Sequence, residues 1–86
     1  MSEQGQAPIK EFRAGSIRAA IWKNETEVEG RTVVQHSVRI EKRFFDKKTG
    51  EWRASDYFFA NDLPRLCLVT EKAFEYVALR ENRDSP

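Results

Sequence analysis

Arg39 and Arg43 stand four residues apart in the run VVQHSVRIEKRFF (residues 33–45), and Arg53 lies on the run that returns from the turn Asp46-Lys47-Lys48-Thr49-Gly50. Arg18 and Trp22 hold the same four-residue spacing on an earlier run. A guanidinium presents a planar fork of donors that matches a phosphate, and an exposed ring offers a face on which an unpaired base stacks. Together they point to a polyanion with accessible bases, a single strand rather than a duplex.

These side chains need a scaffold that turns them to one side. Val34, Val38, Ile40 and Phe44 share one parity while Ser37, Arg39, Glu41 and Arg43 share the other, the alternation of a strand with one dry and one wet face. Ile17, Ala19 and Ile21 against Arg18 and Trp22 repeat the pattern. Arg53, Ser55 and Tyr57 form the more polar parity of the last run, and Phe58 suits the core better than Asp56. The expected wet face therefore collects Arg18, Trp22, Arg39, Arg43, Arg53 and Tyr57, with Lys47 and Lys48 extending it at the hairpin tip. The competing reading is a merely solvated face, in which arginines opposite Glu41 are ordinary cross-strand pairs.

Other chemistries find little support. His36 is the only histidine, shares the dry parity and has no second His or a Cys beside it as a metal ligand, so a packed, hydrogen-bonded role is expected. Cys67 falls on an apolar helical stripe and reads as a small core residue. The glycines at positions 5, 15, 30 and 50 are scattered and form no phosphate-cradling loop. No catalytic residue, metal site, cofactor or small-molecule substrate is indicated.

With 86 residues the chain makes one domain, and a core this small leaves only about 3–5 kcal/mol of net stability, which a second copy would supplement. The formal charge is +1, but residues 10–60 carry 11 Lys and Arg against 8 Asp and Glu, so the excess sits on the expected sheet. One cysteine, no apolar run long enough to span a membrane and no signal-peptide pattern at the start lead to a cytoplasmic expectation, nucleoid-associated in a prokaryote.

Along the chain, residues 1–8 and 82–86 read as disordered tails around a domain over residues 9–81. Within it lie a short extended piece at Lys10–Ala14, a break at Gly15, a strand over Ser16–Lys23, an acidic hairpin loop over Asn24–Arg31 and two long strands around the Lys47–Gly50 turn. Asn61 or Asp62 can cap a helix that tolerates Pro64 in its first turn. Leu63, Leu66, Cys67, Thr70, Ala73, Phe74 and Val77 make its sheet-facing stripe. Leu68 and Leu79 point away from that stripe, and Val69 and Tyr76 widen it. These four are the expected dimer contacts, because the helix is more apolar than a lid over one sheet requires. The fold class is α+β: a four-stranded antiparallel sheet followed by a C-terminal helix (β-β-β-β-α), paired as a homodimer.

The run Phe12-Arg13-Ala14-Gly15-Ser16-Ile17-Arg18 is followed by Val38-Arg39-Ile40-Glu41-Lys42-Arg43-Phe44-Phe45-Asp46, the Lys47–Gly50 turn, Glu51-Trp52-Arg53 and a terminal helix. This pattern resembles the single-stranded-DNA-binding domain of the transcriptional coactivator called positive cofactor four, with the related Whirly-like single-strand-binding folds. The resemblance spans residues 10–79. It implies a homodimer whose sheets form the nucleic-acid channel and whose helices meet at the interface, with Arg18, Arg39 and Arg43 at matching positions. The loop over Asn24–Thr32 is longer and more acidic than the family's, and Arg53-Ala54-Ser55-Asp56 replaces a lysine- and glycine-rich strand start. The function expected is binding of single-stranded DNA or RNA with little sequence preference, as an accessory to transcription or replication. The alternative is a protein-interaction or structural module of the same fold that binds no nucleic acid.

Overall fold

Four strands pair with their sequence neighbours as one antiparallel meander: β1 (Lys10–Ala14), β2 (Ile17–Val28), β3 (Arg31–Asp46) and β4 (Glu51–Ser55). A 3-10 turn at Ala60–Asp62 then leads into α1 (Leu63–Asp84). The structure, a computed structural model, describes residues 7–84. Of the expected tails, residues 1–6 and 85–86 lie outside that range, while the backbone at residues 82–84 continues α1 past the boundary placed at residue 81. No helix among the described residues is long and apolar enough to cross a membrane.

Register follows from the alternation. Ile17 pairs with Lys42, Ala19 with Ile40 and Ile21 with Val38, so the odd positions of β2 and the even positions of β3 share the face that carries α1. Phe12 and Ala14 of β1 join that face through Ala19 and Ile17. Ile17, Ala19, Ile21, Val69 and Ala73 form the buried centre, with Phe12, Ile40, Phe58, Leu66, Tyr76 and Val77 packed around it. Ile17, Ile21 and Val69 are the largest fully buried side chains, each worth roughly 1.5–3 kcal/mol of apolar burial.

The segment expected as an acidic loop is strand. β2 continues through Val28 and β3 begins at Arg31, with Glu25 opposite Val34 and Glu27 opposite Thr32. Only Glu29 and Gly30 turn, both with positive φ (52° and 78°), as a two-residue type I′ hairpin requires. Alternating Glu and Thr satisfy the ladder as well as apolar residues do where neither face is covered, and the result is an exposed two-stranded ribbon beyond the helix. The ribbon makes the molecule long: its extents are 50 × 27 × 16 Å. Its radius of gyration is 15.5 Å, against about 12 Å for a compact chain of this length.

α1 lies over β1 and β2 and barely reaches β3. Its buried line runs through Leu66, Val69, Ala73, Tyr76 and Val77, so the expected stripe is rotated: Leu63, Cys67, Thr70 and Phe74 are exposed. Phe12 and Tyr76 meet edge to face at 6.1 Å, which anchors this line on β1. One consequence is that Val34, Val38 and Phe44 face the helix side yet stay about two-fifths exposed.

The start of α1 is tied to the sheet by one carboxylate. Asp62 accepts the Phe59 backbone N–H (2.8 Å) and the Lys42 ammonium (2.7 Å), and Lys42 also sits 4.3 Å from the Phe59 ring centre. The Lys42 hydrogen bond, then that of Phe59, holds the Asp62 carboxyl below its ordinary range. Asp62 therefore closes the 3-10 turn that leads into the helix, its carboxylate reaching back to the Phe59 N–H as the acidic member of a capping box. At the same end of the sheet Gly15 turns from β1 to β2 with φ 61°, its missing Cβ leaving room for the Arg65 side chain.

Candidate nucleic-acid interface

The face away from α1 carries the expected arginines. Arg18 pairs with Glu41 in register and Trp22 with Ser37, which places Arg18, Trp22, Arg39 and Arg43 on one side of the sheet together with Glu11 and Arg13 of β1. On the far strand Arg43 pairs with Ala54 and Phe45 with Trp52, so Trp52 belongs to this face. Arg53 does not. It lies opposite Phe44, on the helix side, and makes an ion pair with Asp46 at 3.6 Å. The error comes from the turn, whose length sets which parity of β4 matches which parity of β3. β4 ends at Ser55, so Tyr57 lies beyond the last strand; it is 82% exposed, with its N–H donated to the Ser55 hydroxyl.

Charges on this face are partly cancelled. Arg18 donates to Glu41 at 2.8 Å and to Glu11 at 3.3 Å, Arg39 stands 3.4 Å from Glu41, and Arg13 stands 3.4 Å from Glu11. The Arg18 and Glu41 side chains are only 19% and 12% exposed, so this pair is a partly buried bridge and Arg18 holds the network together more than it faces solvent. Trp22 is likewise closed off at 9% exposure, beside the fully buried Ala20. An exposed base-stacking role for Trp22 is therefore corrected: it fills the centre of the sheet's second face. Three arginines against two glutamates leave the cluster positive, and Arg43 adds a cation that makes no ion pair among the described residues.

The accessible part of the face is a shallow groove of about 420 Å³ lined by Arg13, Gly15, Ser16, Ile17, Arg18, Arg43 and Trp52. The backbone shapes it: Arg43 N–H donates to the Ser16 carbonyl (2.9 Å), which draws β3 against the β1–β2 turn. At its side stands the cross-strand pair Phe45 and Trp52, edge to face at 5.5 Å and exposed by 47% and 63%. Two large rings held exposed beside Arg43 and the half-exposed Arg13 give bases a stacking surface and phosphates their donors. Lys47 and Lys48 are exposed at the adjacent tip, where the Lys48 N–H donates to Asp46 and Gly50 N–H closes the turn onto the Asp46 carbonyl (2.8 Å).

Arg13, Phe45 and Trp52 join the site beyond the residues expected from the sequence. Phe45 has the parity of Arg43, so the alternation that selected Arg39 and Arg43 already placed it on the wet face. Trp52 required the hairpin register.

The four expected dimer contacts divide. Val69 is 1% exposed and Tyr76 packs on Phe12 beneath the Arg80 guanidinium (4.2 Å), so both belong to the chain's own core. Leu68 and Leu79 are exposed by 48% and 59%, as expected of positions turned from the sheet, and Phe74 at 72% is the most exposed apolar side chain of α1. Compared with family models, with characterised proteins and with solved structures, the chain matches none.

Proposed function

We propose that the protein binds single-stranded nucleic acid on the helix-free face of its sheet, with little sequence preference, as a homodimeric accessory to transcription or replication in the cytoplasm. The observation that carries this reading is the groove in which Arg13, Arg18 and Arg43 converge beside Trp52, with Phe45 completing a pair of exposed rings. Phosphates take the guanidinium forks of Arg13 and Arg43, bases stack on Trp52 and Phe45, and Lys47 and Lys48 lengthen the positive track. Arg18 and Arg39 act mainly by holding Glu11 and Glu41 away from the strand. Contacts to phosphate and to ring faces carry no base identity, which gives the low sequence preference.

The homodimer is supported by the elongated shape, by the apolar side chains left exposed on α1 and by the half of the sheet that α1 leaves bare. The test is titration with labelled oligo-dT. Binding quenches the Trp52 fluorescence, and affinity falls as salt rises because phosphate contacts release counterions. Absence of binding at about 50 mM salt overturns the proposal, since unscreened phosphate attraction is then strongest, and leaves the protein-interaction module as the reading of the same fold.

A further inference from the structure

The long outer edge of β3 is open. β4 pairs with β3 only as far as Lys42 and ends the strand order, so among the described residues no strand pairs with the outer side of residues 31–41. Because the Arg43 N–H points to Ser16 on the β2 side, the odd-numbered residues of β3 bond inward and the even-numbered ones outward. Thr32, Val34, His36, Val38 and Ile40 therefore direct their backbone N–H and C=O groups at the open side. That edge carries no proline and no bulge, and its outward-bonding residues include no Lys, Arg, Asp or Glu, so the usual protections of an edge strand are missing.

We propose that two copies of the chain join through this edge, β3 against β3 in antiparallel register about a two-fold axis at His36, making one continuous sheet. The inference rests on the homodimer put forward above and specifies its contact.

The register is selected by the edge itself. A two-fold at residue 36 pairs each residue i with residue 72 − i, so it uses the whole stretch from residue 31 to residue 41 that no strand covers and stops where β4 begins. It sets Val34 against Val38 of the copy and Thr32 against Ile40, joining the two bare apolar half-faces, and on the other side it sets Arg31 against Glu41. Moving the axis to residue 35 puts Arg31 against Arg39. Moving it to residue 37 strands Arg31 and Thr32 opposite positions already held by β4. A groove of about 600 Å³ lies at the end of β4, lined by Val38, Arg39, Ile40, Glu41, Ala54, Ser55 and Asp56. This register delivers the tip of the copy's β2–β3 hairpin to that groove. The exposed ribbon, unsupported in one copy, thereby gains a neighbouring strand.

Amide exchange measured by NMR at a concentration where the protein is dimeric tests the contact. The outward amides of Thr32, Val34, His36, Val38 and Ile40 become protected to the level of the inward amides beside them. Val38→Pro removes one outward N–H and leaves the β2 ladder intact, and it raises the dimer dissociation constant by about tenfold or more. Val34→Lys with Val38→Lys places ammonium groups opposite one another on side chains that are exposed in the single copy, so folding survives and dimerisation is lost. A particle of 10.1 kDa at all concentrations overturns both the edge contact and the homodimer. A dimer whose outward amides exchange like those of an exposed loop, or which survives the double lysine variant, overturns the edge contact alone.

Discussion

Replacing Trp52 with alanine separates strand binding from folding more cleanly than any other single change. Trp52 is 63% exposed, sits on the last strand and touches Phe45 at its edge, so little core burial is lost with it. If it supports one stacked base, its removal costs about 1–3 kcal/mol of binding, a loss of roughly 5- to 150-fold in affinity. Phe45→Ala should cost a similar amount, and the double variant less than the sum, because the two rings hold each other's orientation. Trp52→Phe keeps a ring face and should recover most of the affinity. Fluorescence anisotropy of a labelled oligo-dT measures these constants, with thermal unfolding as the control for folding. Arg43→Ala, measured across a salt series, should flatten the dependence of log affinity on log salt by about 0.7, the value for one phosphate contact on a single strand. An affinity for Trp52→Ala within about twofold of the parent, a difference under about 0.5 kcal/mol, would place the bases elsewhere and refute the stacking assignment.

Three further outcomes follow from the geometry. Glu41→Gln removes the carboxylate that binds Arg18 at 2.8 Å, so anisotropy should report tighter strand binding while unfolding shows a loss of about 1–3 kcal/mol; weaker binding would contradict the view that Glu41 masks the arginines. Gly15→Ala places a Cβ 2.9 Å from the Arg65 Nε at a left-handed residue, whereas Gly30→Ala meets no atom within 4 Å. Both should lose about 1–2 kcal/mol from the backbone conformation, and Gly15→Ala more than Gly30→Ala in denaturant unfolding; equal losses would mean that Arg65 yields freely. The Asp62 carboxyl is held below its unfolded value by Lys42 and Phe59, so its contribution is complete above the ordinary carboxylate pKa and disappears as pH falls through the lowered folded value. Asp62→Asn should accordingly flatten the acid limb of the stability–pH curve, and an unchanged limb would assign that titration to another carboxylate.

Much of this arrangement is legible from residue types alone. The alternation in β2 and β3 assigned Arg18, Trp22, Arg39 and Arg43 to one face, because a strand's period of two fixes side without reference to neighbours. The acidic segment reads as a loop for the same local reason: it is polar and lacks an apolar face, but an exposed ribbon needs none, and the Glu29–Gly30 turn is enough to reverse the chain. Arg53 and Trp52 exchanged roles because their side depends on the β3–β4 register, a property of the turn geometry between the strands.

The stretch of sequence from Lys10 to Leu79 determines the element order, the antiparallel pairing and the two faces, since these depend on short-range periodicity and on turn chemistry. The tertiary structure decided three things. Docking α1 over β1 and β2 buried Val69 and Tyr76 and left Phe74 and half of the sheet bare. Closing Glu11 and Glu41 onto Arg18 left Arg43 and the exposed side of Arg13 as the groove's available cations. Setting Phe45 beside Trp52 supplied the exposed rings that Trp22, shut into the sheet, does not. Each depends on which distant side chains compete for the same neighbour, and that competition is settled only when the layers pack.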